Sequence, residues 1–170
     1  MTKDSLATFA FSITDHFFMS EAIKEAKKAR LADEVPVGAV VVYEGKIIGR
    51  GYNQVISKSD PTCHAEIIAM RDAALHFNNY RLVNCRLYVT LEPCLMCVGA
   101  IFNARIQQVI FGAAEPKTGA SGSVIDAFAL SKLNFHATVL GGLMAEACAK
   151  MLSDFFSLRR RNKTDTESLS

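Results

Sequence analysis

Residues 86–111 read RLYVTLEPCLMCVGAIFNARIQQVIF. The run Arg86-Leu87-Tyr88-Val89-Thr90-Leu91 is β-branched and aromatic, which predicts a strand. Pro93 fits the first turn of a helix, where its missing N–H costs nothing. Cys94 to Ala104 therefore predicts a short, apolar, buried helix. Gln108-Val109-Ile110-Phe111 predicts the next strand. A strand, a helix and a strand in quick succession mark the centre of an α/β fold.

Upstream, Phe18, Ala22, Ala26 and Ala29 recur at helical steps, so a helix is predicted from Asp15 to near Asp33. Pro36 ends it by holding Val35 extended. Val37–Tyr43, a Glu44-Gly45 turn and Lys46–Gly51 predict a β-hairpin. The stretch QVISKSDPT (54–62) reads as a polar loop. A helix follows from His64 to Phe77, with Ile67, Ile68, Met70, Ala74 and Leu75 on its apolar side. Downstream, the Gly- and Ser-rich segment EPKTGASGS (115–123) is a loop long enough to suspect function. Ala137–Leu140 predicts a last strand, Gly141-Gly142 breaks it, and Leu143 to Arg161 predicts a long closing helix. The expected architecture is a three-layer α/β/α sandwich around a central mixed five-stranded sheet. Residues 15–161 form one domain, 1–14 a flexible extension, and 162–170 a disordered polar tail.

The chain has 170 residues, half of them apolar, enough for one sizeable core. Its net charge of +2 is too small to demonstrate a nucleic-acid partner. Arg159, Arg160, Arg161 and Lys163 do cluster, and on charge alone they fit a solvated helix end as well as an RNA-facing patch. No apolar run is long enough for a membrane span, and the first residues lack the pattern of a signal peptide. Five cysteines, an odd number, argue against a fully paired disulfide framework. These features point to the cytoplasm, where a Cys-x-x-Cys pair suggests metal or redox chemistry.

Two segments carry that chemistry: His64-Ala65-Glu66 and Pro93-Cys94-Leu95-Met96-Cys97. Cys94 and Cys97 share a helix face and can grip one ion. A helix N-terminus favours the thiolate, which is the form that binds metal. His64 completes three donors. Zinc prefers four, so a three-donor site leaves a place for water. Glu66 is the candidate proton carrier. Alone, the cysteine pair also fits a redox couple or half of a structural zinc site, and a lone His-x-Glu means little. Together, with Pro93 before the first cysteine, they form the H-x-E…P-C-x-x-C signature of zinc nucleobase deaminases. Cys63, Cys85 and Cys148 read as small buried apolar residues.

Beyond these motifs, several segments resemble the bacterial tRNA-specific adenosine deaminases (the TadA family). They are Glu34-Val35-Pro36-Val37-Gly38-Ala39-Val40, Asp60-Pro61-Thr62, Asn79-Tyr80-Arg81-Leu82, Lys117-Thr118-Gly119-Ala120 and Leu152-Ser153-Asp154-Phe155-Phe156. The resemblance runs from about Phe18 to Arg160. It implies a cytidine-deaminase-like fold, a homodimer, and one zinc per subunit held by His64, Cys94 and Cys97, with Glu66 moving protons. It also implies the wobble adenosine (position 34) of an arginine tRNA anticodon as substrate, converted to inosine. By motif position Asn53 holds the target nucleoside and the loop residues Glu115 and Lys117 contact the substrate. Phe155, Phe156, Arg159 and Arg160 meet the anticodon loop. Glu115 stands where the family usually has Asp. Two rival readings are a deaminase of free cytidine, cytosine or guanine, and a non-catalytic RNA-binding module with structural zinc.

Overall fold

The computed structural model describes residues 11–167. Its elements are α1 (Ile13–Leu31), β1 (Gly38–Tyr43), β2 (Lys46–Tyr52), α2 (Val55–Lys58), α3 (Ala65–Phe77), β3 (Arg86–Leu91), α4 (Leu95–Ala104), β4 (Gln108–Ala113), β5 (Thr138–Gly141) and α5 (Ala145–Glu167). The strands form one sheet in the order β2-β1-β3-β4-β5. β1 is antiparallel to β2 and β3, whereas β3, β4 and β5 run parallel. Alternate residues of each strand face opposite layers. Ala39, Val41, Leu87, Val89 and Val109 pack against α3 and α4, and Val40, Val42, Tyr88 and Ile110 pack with residues of α1 and α5. The result is the expected α/β/α sandwich with a mixed five-stranded sheet.

Glycines set how closely the helices approach the sheet. A Cβ on Gly38 would collide with the backbone of α1 at Ala22 and Ala26, and one on Gly51 with that of α3 at Ala65 and Ala69. Gly51 therefore fixes the depth of the helix start that follows His64. Arg50 fastens the edge strand: its guanidinium reaches Glu21 at 2.9 Å and Glu25 at 3.4 Å, while its N–H donates to Asp72.

The main departures from the sequence reading each have a local reason. α1 starts at Ile13, not Asp15, because Ser12 and Asp15 form a reciprocal capping box. So part of the supposed 14-residue extension is ordered, and residues 1–10 lie outside the described residues. The polar 54–62 segment contains the one-turn helix α2, whose Ile56 and Ser57 N–H groups donate to the distant Glu34 carboxylate. α5 starts two residues late because Gly142 and Met144 take positive φ angles of 97° and 54°. It continues past Arg161 to Glu167, so 162–167 is helical rather than a disordered tail. Neither Pro nor Gly interrupts that run, and extending a formed helix is cheap. The remainder of the tail, 168–170, lies outside the described residues. Finally, α4 is buried on one face only: Leu95 and Met96 are 58% and 37% exposed.

Asp15 also accepts a 2.7 Å hydrogen bond from the hydroxyl of Tyr88, a fully buried residue at the centre of β3. Burial pushes the Asp15 carboxyl up, but the Tyr88 hydroxyl and the Ser12 donors outweigh it and hold it below the usual aspartate range. Tyr88→Phe should therefore cost about 1–2 kcal/mol in urea unfolding at neutral pH. A depressed carboxyl contributes stability above its unfolded pKa and loses it as pH falls. The deficit should thus shrink below about pH 4. A pH-independent deficit would assign the loss to packing alone.

Candidate metal centre and catalytic pocket

The chemistry-bearing residues converge at the starts of two helices. His64 is the extended residue before α3 and Cys94 the extended residue before α4. Residues in this position normally cap the helix with their side chains, yet neither does so here. Asn53, arriving from the end of β2, takes over at α3: its Oδ1 accepts the Ala65 N–H at 2.9 Å. The His64 ring is thereby left for another partner. Cys97, one turn into α4, is fully buried.

His64 Nδ1 lies 3.6 Å from both Cys94 Sγ and Cys97 Sγ. The three donor atoms all lie within 4.8 Å of one another, the one such cluster among the described residues. A tetrahedral zinc with Zn–S near 2.3 Å and Zn–N near 2.0 Å requires N···S edges of about 3.6 Å. The donor set therefore fits zinc in both type and spacing. Cys63, the neighbour of His64, is not a fourth donor: its Sγ turns to Asp60 Oδ2 at 3.2 Å. Cys85 and Cys148 are buried, and all five thiols are free.

The electrostatics suit a cation. The hydrogen bond from Cys97 pulls the Cys94 thiol down to about 4, aided by His64. Cys97 is pushed up, first as the donor to Cys94 and then by burial. The hydrogen bond with Cys94 raises His64. Metal binding replaces the shared proton and leaves both sulfurs as thiolates. Glu66, one residue into α3, is only 3% exposed. Burial pushes its carboxyl up to about 7, the range of a group that both takes and gives a proton near neutrality.

These groups face a cavity of about 300 Å³, lined also by Glu34, Val37, Asn53, Leu91, Glu92 and Thr118. His64, Cys94, Glu66 and Asn53 thus meet at one cavity. The other predicted contacts surround it less directly. Glu115 Oε1 accepts the Lys117 N–H at 2.9 Å, so the longer acid folds back on its own loop. Lys117 is exposed, and the next residue, Thr118, lines the cavity. Phe155 is turned inward at 4% exposure, with the Arg159 guanidinium 5.2 Å from its ring centre, while Phe156 is 42% exposed. Arg160 donates to Ser157 Oγ at 3.1 Å. Burial pushes the Glu34 carboxyl up, but the hydrogen bonds from Ser57 and Ile56, with a smaller contribution from the Arg159 charge, hold it below its usual range.

Two functional-looking carboxylates escaped the motif reading. Glu34 and Glu92 are 1% and 3% exposed, and each binds backbone N–H groups of a cavity wall. The available signal was an acid set among apolar residues, as in Val89-Thr90-Leu91-Glu92-Pro93.

A His/Cys/Cys donor set with an adjacent buried acid, opening on a cavity of about 300 Å³, makes this chain a zinc-dependent hydrolase of the deaminase class. Residues 12–113 match the family model for the cytidine and deoxycytidylate deaminase zinc-binding region. The tRNA-specific adenosine deaminase of Haemophilus influenzae is 49% identical over 156 residues, covering 91% of this chain and 90% of that one. That of Bacillus subtilis is 43% identical over 157 residues, covering 92% and 98%. A solved structure from biochemical and structural studies of A-to-I editing by tRNA:A34 deaminases at the wobble position of transfer RNA is 41% identical. It superposes with a TM-score of 0.78 over 80% of this chain and 99% of that one. The chain belongs to the tRNA-specific adenosine deaminase family.

Proposed function

We propose that this protein hydrolyses adenosine to inosine at the wobble position (34) of an arginine tRNA anticodon, releasing ammonia and using one zinc per subunit. The observation that carries the reading is the buried Glu66 carboxylate beside the His64–Cys94–Cys97 donor set. Zinc bound there would supply a Lewis acid that makes water nucleophilic near neutral pH. Glu66 takes a proton from the attacking water and delivers it to N1 of adenine. It then carries the proton of the new C6 hydroxyl to the amino nitrogen, the C6–N bond breaks as the C6 carbonyl forms, and ammonia leaves. Water adds and ammonia departs, so the reaction balances without another reagent. With its Oδ1 occupied by Ala65, Asn53 offers its NH₂ group to the nucleoside. The target base must leave its stack to reach this depth, which a single-stranded loop permits more cheaply than a duplex does.

Phe156, Arg159 and Arg160 meet the anticodon loop, with Phe155 buttressing Arg159 from inside. Glu115 and Lys117 meet the nucleotide beside the target. Exposed Leu95 and Met96 at the start of α4, and Tyr80 in the segment after α3, support a homodimer. Five free thiols support a cytoplasmic location. No helix among the described residues is long and apolar enough to cross a membrane.

The test is direct: incubate the zinc-loaded protein with arginine tRNA transcript bearing A34, and read inosine by reverse transcription. Inosine at that position supports the reading. Ammonia from free cytidine, cytosine or guanine without inosine in RNA would replace it. Arg159→Ala with Arg160→Ala should raise KM for the tRNA at least about tenfold and leave kcat nearly unchanged. The log–log salt slope should also fall by about 1.4, at ~0.7 per lost single-strand phosphate contact. An unaltered slope would remove these residues from the interface.

A further inference from the structure

A second buried acid stands two residues before the first metal-binding cysteine, and its bonding differs from that of Glu66. The Glu92 carboxylate accepts from the N–H groups of Glu115 at 2.9 Å, Ser121 at 2.9 Å and Ser123 at 3.1 Å, and from the Ser123 hydroxyl. A carboxylate offers about four acceptor positions. All four are filled here, two on each oxygen, and every donor belongs to the 115–123 loop. With its acceptor positions taken, Glu92 is a tether rather than a proton carrier.

The tether ends beside the metal-bearing turn. Glu92 N–H donates to Ala113 C=O at 2.8 Å, Ala120 N–H donates to Pro93 C=O at 2.9 Å, and Cys94 pairs with Gly119 as an isolated bridge. Gly119 packs between the carboxylate and its own loop, where an added Cβ would come within 2.5 Å of both Glu92 and the Glu115 carbonyl oxygen. The loop's other side presents Thr118 to the cavity.

We infer that Glu92 is a positioning residue, which holds the 115–123 loop against the Pro93-Cys94 turn so that Glu115, Lys117 and Thr118 meet the nucleotide flanking the target base. This role rests on the RNA-editing reading for its substrate, but the tether itself does not. A residue acting through the loop affects recognition of RNA more than the chemical step.

The test compares zinc-loaded wild type with Glu92→Gln and with Gly119→Ala, which attacks the same contact from the loop side. Three quantities are measured: zinc content, amide hydrogen exchange at Glu115, Ser121 and Ser123, and kcat and KM for an A34 anticodon stem-loop. In Glu92→Gln, zinc should stay at the wild-type level and the three amides should exchange at least about tenfold faster. KM should rise about tenfold, the size of one lost charge-assisted hydrogen bond, with kcat within about threefold. Gly119→Ala should do the same. The double variant should add less than the product of the two effects, because both break one contact. Unchanged exchange or unchanged KM would overturn the inference. So would loss of zinc with collapse of kcat in both variants, which would make Glu92 a structural support of the metal turn. If wild type makes no inosine, the RNA reading fails by itself, and the exchange data still decide whether Glu92 holds the loop.

Discussion

Replacing Glu66 with Ala should lower kcat by about 10³-fold or more while leaving the metal in place. General acid–base catalysis by one positioned group contributes typically 10²–10⁴-fold. Here the same carboxylate is asked to serve twice, once as base and once as acid. With His64, Cys94 and Cys97 as the proposed metal donors, Glu66 is not needed to hold zinc, and metal content should stay within error of wild type. Glu66→Gln makes the sharper comparison, because it keeps the volume and polarity of a 3% exposed side chain and removes only the titratable proton. It should be as inactive as Glu66→Ala. The wild-type rate should fall as pH drops through the carboxyl's pKa, since the protonated acid cannot accept a proton from water. That acid limb should vanish from the residual activity of Glu66→Gln. Inosine formation by Glu66→Gln near the wild-type rate would end the proton-shuttle assignment.

Cys94→Ala should abolish turnover by a different route. It leaves His64 and Cys97, too few donors for tight zinc binding, so metal content should drop by at least about tenfold. Stability should report the same event. A metal held by these donors would join the starts of α3 and α4, whose sequences are separated by a whole strand and its loops. A ligand that binds only the folded state, at about 1,000 times its Kd, adds roughly 4 kcal/mol. For a domain of this size that corresponds to about 10 °C in Tm. A chelator should therefore lower the Tm of wild type by about that amount and leave Cys94→Ala unmoved. Full zinc content in Cys94→Ala would mean that another side chain completes the site, and the open coordination place would be lost from the mechanism.

The strands and the metal triad were legible because both are local signals. β1, β3 and β4 are β-branched runs, and His64, Glu66, Cys94 and Cys97 lie in two short motifs at predicted helix starts. Asn53 was reachable through family resemblance alone, since nothing in Tyr52-Asn53-Gln54 tells that its side chain caps a helix twelve residues away. The carboxylates of Glu34 and Glu92 were not legible. Their donors are backbone N–H groups 22 to 31 residues distant, which no periodicity encodes. α2 was missed for the same reason, because a one-turn helix in a polar stretch depends on Glu34 rather than on its own composition. Phe155 and Phe156 are neighbours on a helix and so point about 100° apart. The sequence names both rings, and only packing decides that Phe155 turns inward.

The two walls of the cavity hang from Glu34 and Glu92, while the reactive groups sit at the heads of α3 and α4. The α3 head is braced by the sheet at Gly51, and the α4 head meets the far end of the 115–123 loop through Ala120 N–H on Pro93 C=O and the Cys94–Gly119 bridge. Substitutions at residues 115–118, which make neither of these contacts to that turn, can therefore drift, and substrate preference with them, without dismantling the reaction centre. An ancestral scaffold built this way could exchange one nucleobase or polymer for another by remodelling its rim. A laboratory seeking new substrates would do best to randomise residues 115–118 and leave Glu92 and Gly119 untouched.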